Sequence, residues 1–184
     1  MGQATIQTVP TLFTSRLELR PIELPFVEAV VAGDRAAAEA ACGAALPEAW
    51  PGPDLVWRAF AASMEAVRAD PVTRLWGDTL LIARDGPRRV LGSVVFHGRP
   101  ADGVAEVGYG VEDGSQRQGF ATEGTRACVE WALAQDGIAA VTATTFPWHT
   151  ASLRVIERLG MARAGVREHA YLGELLVFER RRER

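Results

Sequence analysis

Three observations predict a mixed α/β fold. The run from Thr79 to Val111 holds three strand-like segments separated by turn residues, a helix-like run then continues to about Gln135, and a β-branched run from Ile138 to Thr145 follows. Strands joined by short turns pair antiparallel, whereas a strand-helix-strand crossover makes parallel neighbours. The predicted sheet is therefore mixed. With 184 residues the chain is expected to form one domain, residues 1–184, large enough to bury a core without disulfides or metals.

The first strand spans about Leu12 to Pro21, where Leu17 and Leu19 alternate with Arg16, Glu18 and Arg20, so one face is buried. From Leu24 to about Trp50 an Ala-rich run interrupted by Gly33, Gly43 and Pro47 predicts one or two helices. Asp54 suits the cap of a helix from Leu55 to Ala69, in which Val56, Phe60, Met64 and Val67 recur at helical spacing until Asp70-Pro71 stops it. Strands follow at about Thr79 to Arg84, Val90 to His97 and Val104 to Val111, divided by Asp85-Gly86-Pro87 and by Pro100 to Gly103. In the next helix Phe120, Gly124, Ala127, Cys128 and Trp131 fall on one side, and Gly124 permits close approach to a sheet. Gly137 ends it. A helix from about Thr150 to Leu159 and strands near Met161 to Ala170 and Glu174 to Arg180 complete the order.

Composition narrows the function classes. Apolar residues are 48% of the chain and the formal net charge is −3, so there is no basic field for nucleic acid. Arg180 to Arg184, with Glu183 among them, reads as a solvated charged end. Cys42 and Cys128 are the only cysteines and no Cys/His cluster has ligand spacing, so no metal site is expected and a reducing compartment fits. Met1 to Ile6 lacks an apolar signal core, and no apolar stretch approaches the roughly 20 residues of a membrane helix. A cytoplasmic location with no membrane partner is the expectation.

Gln116-Arg117-Gln118-Gly119-Phe120-Ala121-Thr122 joins the strand ending at Val111 to the long helix. A turn with a Gly at a helix start presents backbone N–H groups that have no carbonyl partners, and the helix dipole adds positive potential where they converge. The segment reads as a loop that holds a phosphate; the alternative role for Gly119 is plain turn geometry.

This loop has the form Gln-x-x-Gly-x-Ala. Beyond the crossover strand the chain reads His149-Thr150-Ala151-Ser152-Leu153-Arg154-Val155-Ile156-Glu157-Arg158-Leu159-Gly160-Met161. The two motifs at this separation, with Thr14-Ser15-Arg16-Leu17-Glu18-Leu19-Arg20-Pro21 and Ala105-Glu106-Val107-Gly108-Tyr109, resemble the GNAT superfamily of N-acetyltransferases, most closely its ribosomal-protein N-terminal acetyltransferase branch. Mainly Pro25 to Asp54 is left unmatched. The resemblance implies a central mixed, mostly antiparallel sheet splayed between its fourth and fifth strands, with helices on both faces and the pantetheine arm of acetyl-CoA in the opening. It implies transfer of an acetyl group from acetyl-CoA to a primary amine, of a protein N-terminus or of a small molecule. The cofactor-binding residues it implies are Val111, Gln116, Arg117, Gln118, Gly119, Phe120, Ala121, Thr122 and His149. His149 stands where the family usually has Asn, so either an imidazole N–H replaces that contact or the ring packs. Ile156 stands where many relatives place a Tyr general acid, and it has no proton to donate.

Acetyl transfer from a thioester to an amine needs an unprotonated amine, stabilisation of the forming oxyanion, and a proton for the departing thiolate. Glu106 shares a strand face with Gly108 and Gly110 and is the candidate base; its other reading is a solvent-facing strand residue. His97, late on the preceding strand and diagonal to Glu106, shares or replaces that role. Gly108 and Gly110 ease a departure from the ladder that frees an N–H for the thioester oxygen. By its position in the family motif Ser152 is the candidate acid, its competing role being helix N-cap, with Thr150 able to cap instead. Two other classes stay open. One is a non-catalytic acyl-CoA-binding module; the other holds a different phosphorylated ligand, although the chain has neither Gly-x-x-x-x-Gly-Lys-Ser/Thr nor a three-glycine dinucleotide spacing. The acceptor pocket is expected between the early helices and the last strands, near Trp50, Trp57, Trp76, Trp148 and Tyr171, each of which has ordinary packing as its other reading. A homodimer is left open.

Overall fold

The computed structural model describes residues 8–53, 56, 61–171 and 173–183. The expectations for Met1 to Ile6, for the Asp54 cap, for Leu55, Trp57 and Phe60, and for Arg184 fall outside those residues. The expected first strand is broken into β1 (Leu12–Phe13) and β2 (Leu17–Pro21). Thr14 is the cause: its N–H donates to Leu17 O at 2.9 Å and its Oγ1 accepts from Leu17 N–H at 3.0 Å, which turns the chain into a hairpin pairing Leu12 with Leu19.

The Ala-rich region forms α1 (Leu24–Ala32) and α2 (Arg35–Cys42), with Asp34 capping the second through Ala37 N–H at 3.0 Å. A 3-10 turn at Ala61–Ser63 leads into α3 (Met64–Ala69), so the expected helix is not continuous through its second half. Asp70-Pro71 ends α3 but also starts α4 (Pro71–Arg74): Asp70 Oδ1 accepts Thr73 N–H at 3.1 Å, and Pro at the first position loses no intrahelical bond.

The remaining elements are β3 (Thr79–Ala83), β4 (Val90–Val95), β5 (Val104–Glu106), β6 (Gly108–Val111), α5 (Phe120–Ala134), β7 (Ala140–Thr145), α6 (Thr150–Arg158), β8 (Ala162–His169) and β9 (Gly173–Arg181). One sheet has the order β1-β2-β3-β4-β6 and the other β5-β7-β9-β8. The run expected as a single strand, Val104 to Val111, is thus shared between them, with Val107 at the division. β5 pairs parallel with β7, as the crossover requires, and β6 pairs antiparallel with β4. This is the splay expected between the fourth and fifth strands.

Side-chain alternation feeds two cores. Leu81 of β3 faces a cluster with Leu17, Leu19, Ala105, Val107, Cys128, Val129 and Ile156, covered by α5 and α6. Leu80 and Ile82 face a second cluster beneath α1, α2 and α3, with Phe26, Val27, Cys42, Met64 and Val67. Gly124 lets α5 lie close on the sheet, because a Cβ there would stand 2.5 Å from Leu81 Cδ2.

Candidate active site

Backbone alternation locates the opening between the sheets. Glu112 N–H donates to Leu91 O at 2.8 Å, and antiparallel pairs alternately exchange and do not exchange hydrogen bonds. Gly108 and Gly110 therefore direct their main-chain groups to β4, while Val107, Tyr109 and Val111 direct theirs toward β7. Val107 N–H reaches Thr142 O at 2.8 Å, but no ladder joins β6 to β7 beyond it. The main-chain edge of Tyr109 and Val111 consequently lines a wedge. On the adjoining face a Cβ built at Gly110 would meet nothing within 4 Å, so there is room for a chain-like group along this strand.

The predicted phosphate loop closes the end of the wedge. Arg117 has φ 60 and Gly119 has φ 87, two left-handed residues that turn the chain from β6 into α5. The first α5 bond runs from Glu123 N–H to Gly119 O at 3.0 Å, and α5 has no side-chain cap. The N–H groups of Phe120, Ala121 and Thr122 are thus without intrahelical acceptors, at the positive end of a 15-residue helix. These residues suit a pyrophosphate. The two glutamines hold the loop itself: Gln116 Nε2 donates to Val111 O at 3.1 Å and to Asp113 Oδ1 at 2.9 Å, and Gln118 Nε2 to Gly114 O at 3.3 Å. Val111 accepts that bond through its carbonyl, so its N–H remains on the wedge side.

His149 is exposed and caps α6, its Nδ1 accepting Ser152 N–H at 3.5 Å while its ring stacks beside Trp148 at 5.9 Å. The ring thus packs beside Trp148, and its Nδ1 is taken up by the cap, which leaves Nε2 as the ring nitrogen open to another partner. With His149 as the cap, neither Ser152 nor Thr150 has that role. Ser152 instead lies one turn in, and its Oγ is 2.9 Å from Tyr109 Oη, which also donates to Ser152 O at 3.3 Å.

Glu106 faces away from the core but is not simply solvated. Its Oε1 accepts Thr144 Oγ1 at 2.8 Å, and Arg167 of β8 pairs with Oε2 at 3.1 Å. It sits where β5 leaves the joint sheet. His97 is not on the preceding strand: β4 stops at Val95, and His97 lies in the bend beyond it with φ 29, exposed. Its Nε2 is still 4.0 Å from the Cβ position of Gly108, on the Glu106 face.

Tyr109 was not among the sequence candidates, although its place between two glycines on the departing strand marked it. Burial pushes its phenol pKa up, against the pull of the Ser152 hydrogen bond, so it keeps its proton at neutral pH. Arg167 and Thr144 carry no local signal of their partnership with Glu106. Of the aromatics, Trp76 is core, packed against Phe96 and Trp131 at 5.4 and 4.9 Å, and Trp50 is partly buried in the second cluster. Among the described residues of that set, Trp148 at 72% and Tyr171 at 93% exposure are left for an acceptor or a rim.

Comparison with known proteins agrees with this geometry. Residues 16–162 match the model of the acetyltransferase (GNAT) domain. A relative in Bacillus subtilis, the uncharacterized N-acetyltransferase YjdG, is 25% identical over 150 residues, which is 81% of this chain and 88% of the relative. The ribosomal-protein-S5-alanine acetyltransferase of Vibrio fischeri superposes with a TM-score of 0.65 at 12% identity, covering 95% of this chain and 98% of that one. RimL, a ribosomal L7/L12 alpha-N-protein acetyltransferase solved with coenzyme A, superposes at 0.61 with 15% identity and the same coverage of 95% and 98%. At these identities the two structures establish a shared fold.

Proposed function

The chain belongs to the GNAT family of N-acetyltransferases, and from that premise we propose that it moves the acetyl group of acetyl-CoA to a primary amine, of a protein N-terminus or a small molecule, by direct attack on the thioester. The observation that carries the proposal is the division of the strand at Val107, which leaves an unpaired main-chain edge leading straight into an uncapped helix N-terminus. Acetyl-CoA supplies the activated acyl group and a thiolate leaving group.

The protein's own groups divide the remaining work. The amides of Phe120, Ala121 and Thr122 hold the pyrophosphate, the edge of Tyr109 and Val111 pairs with the pantetheine arm, and an N–H on that edge faces the thioester oxygen as charge grows on it. Glu106, held by Thr144 and Arg167, takes the proton of the amine directly or through water, with His97 on the same face. Ser152 donates a proton to the departing sulfur and takes one in turn from the Tyr109 hydroxyl, 2.9 Å from its Oγ, the pair being reprotonated from water. Ile156 is buried beside Leu159 in the first cluster and has no proton to give, so the proton comes from the Tyr109–Ser152 pair instead.

The test is the thermal midpoint with and without acetyl-CoA, for wild type and Gly119→Glu, which places a bulky anion in the loop. A rise in wild type that the variant lacks supports the cofactor site and justifies an amine screen with Glu106→Gln as control. No rise at saturating acetyl-CoA would remove the proposal, and a rise without turnover on any amine would leave a binding module.

A further inference from the structure

The segment Thr14-Ser15-Arg16 is not used by the mechanism above, yet it bonds repeatedly to Glu123, the residue that follows the phosphate loop. Glu123, in the first turn of α5, receives Thr14 Oγ1 at 2.6 Å, Ser15 Oγ at 3.2 Å, Arg16 N–H at 3.0 Å and Arg16 Nε at 2.7 Å. Arg16 Nη2 closes the ion pair at 2.6 Å. Burial pushes the Glu123 carboxyl up, but the hydrogen bonds from Thr14 and Arg16 outweigh it and hold it below its ordinary range. A carboxylate therefore stands beside the amides that would receive a pyrophosphate, and its charge opposes that anion unless Arg16 neutralises it.

The guanidinium also reaches the loop itself. Its Nη1 donates to Gln118 O at 2.9 Å, its Cζ lies 4.4 Å from the centre of the Phe120 ring, and its Nη2 is 3.3 Å from the Cβ position of Gly119. Three of its five N–H groups are engaged in this way, on Nε, Nη1 and Nη2, which leaves two for another acceptor. The side chain is 40% exposed at the mouth of the loop. We propose that Arg16 is a cofactor-binding residue: its free N–H groups take a phosphate oxygen of acyl-CoA while Gln118 O and the Phe120 ring hold the planar fork in position. This rests on the reading of Gln116 to Thr122 as the pyrophosphate loop. The phosphate site is thereby assembled from the first hairpin as well as from the β6–α5 turn.

Calorimetric titration with CoA tests it, using wild type, Arg16→Met, Arg16→Lys, Glu123→Gln and Gly119→Glu, each checked for native circular dichroism. Arg16→Met keeps the stem over Phe120 and is expected to weaken CoA binding about 10- to 100-fold, the worth of one or two charge-assisted hydrogen bonds. Arg16→Lys is expected to recover part of that loss. Glu123→Gln removes the competing carboxylate and is expected to leave affinity unchanged or improved. If Arg16 only braces the loop through Glu123, both Arg16→Met and Glu123→Gln break the same brace and weaken CoA binding alike, which overturns the proposal. Unchanged affinity in both Arg16 variants, with binding lost in Gly119→Glu, also overturns it while sparing the loop. Unchanged affinity in Gly119→Glu removes the loop reading and this proposal with it.

Discussion

Replacing Asp78 by Asn should change how stability depends on pH. Asp78 is 4% exposed beneath the bend that carries His97, and its Oδ1 accepts Phe96 N–H at 2.7 Å. Desolvation raises its pKa from 3.8 to about 7, with the Phe96 N–H pulling the other way. An acid with a raised folded pKa favours the native state in its protonated form, so its contribution is complete below the unfolded value and is lost as pH rises through the folded one. The interval from 3.8 to about 7, at about 1.4 kcal/mol per pH unit, corresponds to a loss of up to about 4 kcal/mol across that window. Asn keeps the acceptor for Phe96 N–H and cannot ionise. The variant should therefore match wild type at about pH 3, below the ordinary carboxylate pKa, and exceed it by about 2–4 kcal/mol at about pH 8. Urea unfolding at a series of pH values, with m-values compared, measures this directly. Glu18, Glu112 and Glu123 have lowered pKa values and make wild type and variant alike less stable in acid, so the difference between the two curves isolates Asp78. Parallel curves, or a variant weaker than wild type at about pH 8, would refute the assignment of a buried acid that resists ionisation.

Two further substitutions probe the site and its support. Ser152→Ala should lower kcat by about 10²-fold or more, with KM for acetyl-CoA little changed, and Tyr109→Phe should lower it by roughly tenfold, as steady-state rates on any accepted amine would show. The double variant should be no worse than Ser152→Ala if Tyr109 acts through Ser152. Gly124→Ala places a methyl 2.5 Å from Leu81 Cδ2 and lifts α5 from the sheet; chemical denaturation should register a loss of about 1–3 kcal/mol.

Much of this protein is legible along the chain because its signals are local. Phe120, Gly124, Ala127, Cys128 and Trp131 share a helix face, and all are placed against or within the first core cluster or at its contact with Leu81. The loop from Gln116 to Thr122 announces itself by a Gly at a helix start, and the crossover to β7 follows from a strand, a helix and a β-branched run in succession. The break at Thr14 and the start of α4 at Asp70-Pro71 are not legible in the pattern, because short polar side chains there bond to backbone three residues away, which periodicity does not register.

The site's partnerships belong to another level. Arg16 meets Glu123 across 107 positions, Tyr109 meets Ser152 across 43, and Glu106 meets Arg167 across 61. Alternation along a strand reports which face a residue occupies but not which strand supplies its neighbour. The sequence by itself determined the family, the mixed α/β succession of the main elements and the glycine turn that leads into α5, since each is written in residues close together. Only the tertiary structure decided that the strand divides at Val107, that His97 lies beyond its strand, and that hydroxyls and ion pairs from distant elements converge on the wedge. Those outcomes depend on how two sheets and their covering helices pack, and packing sums contacts between segments whose order along the chain carries no record of their distance in space.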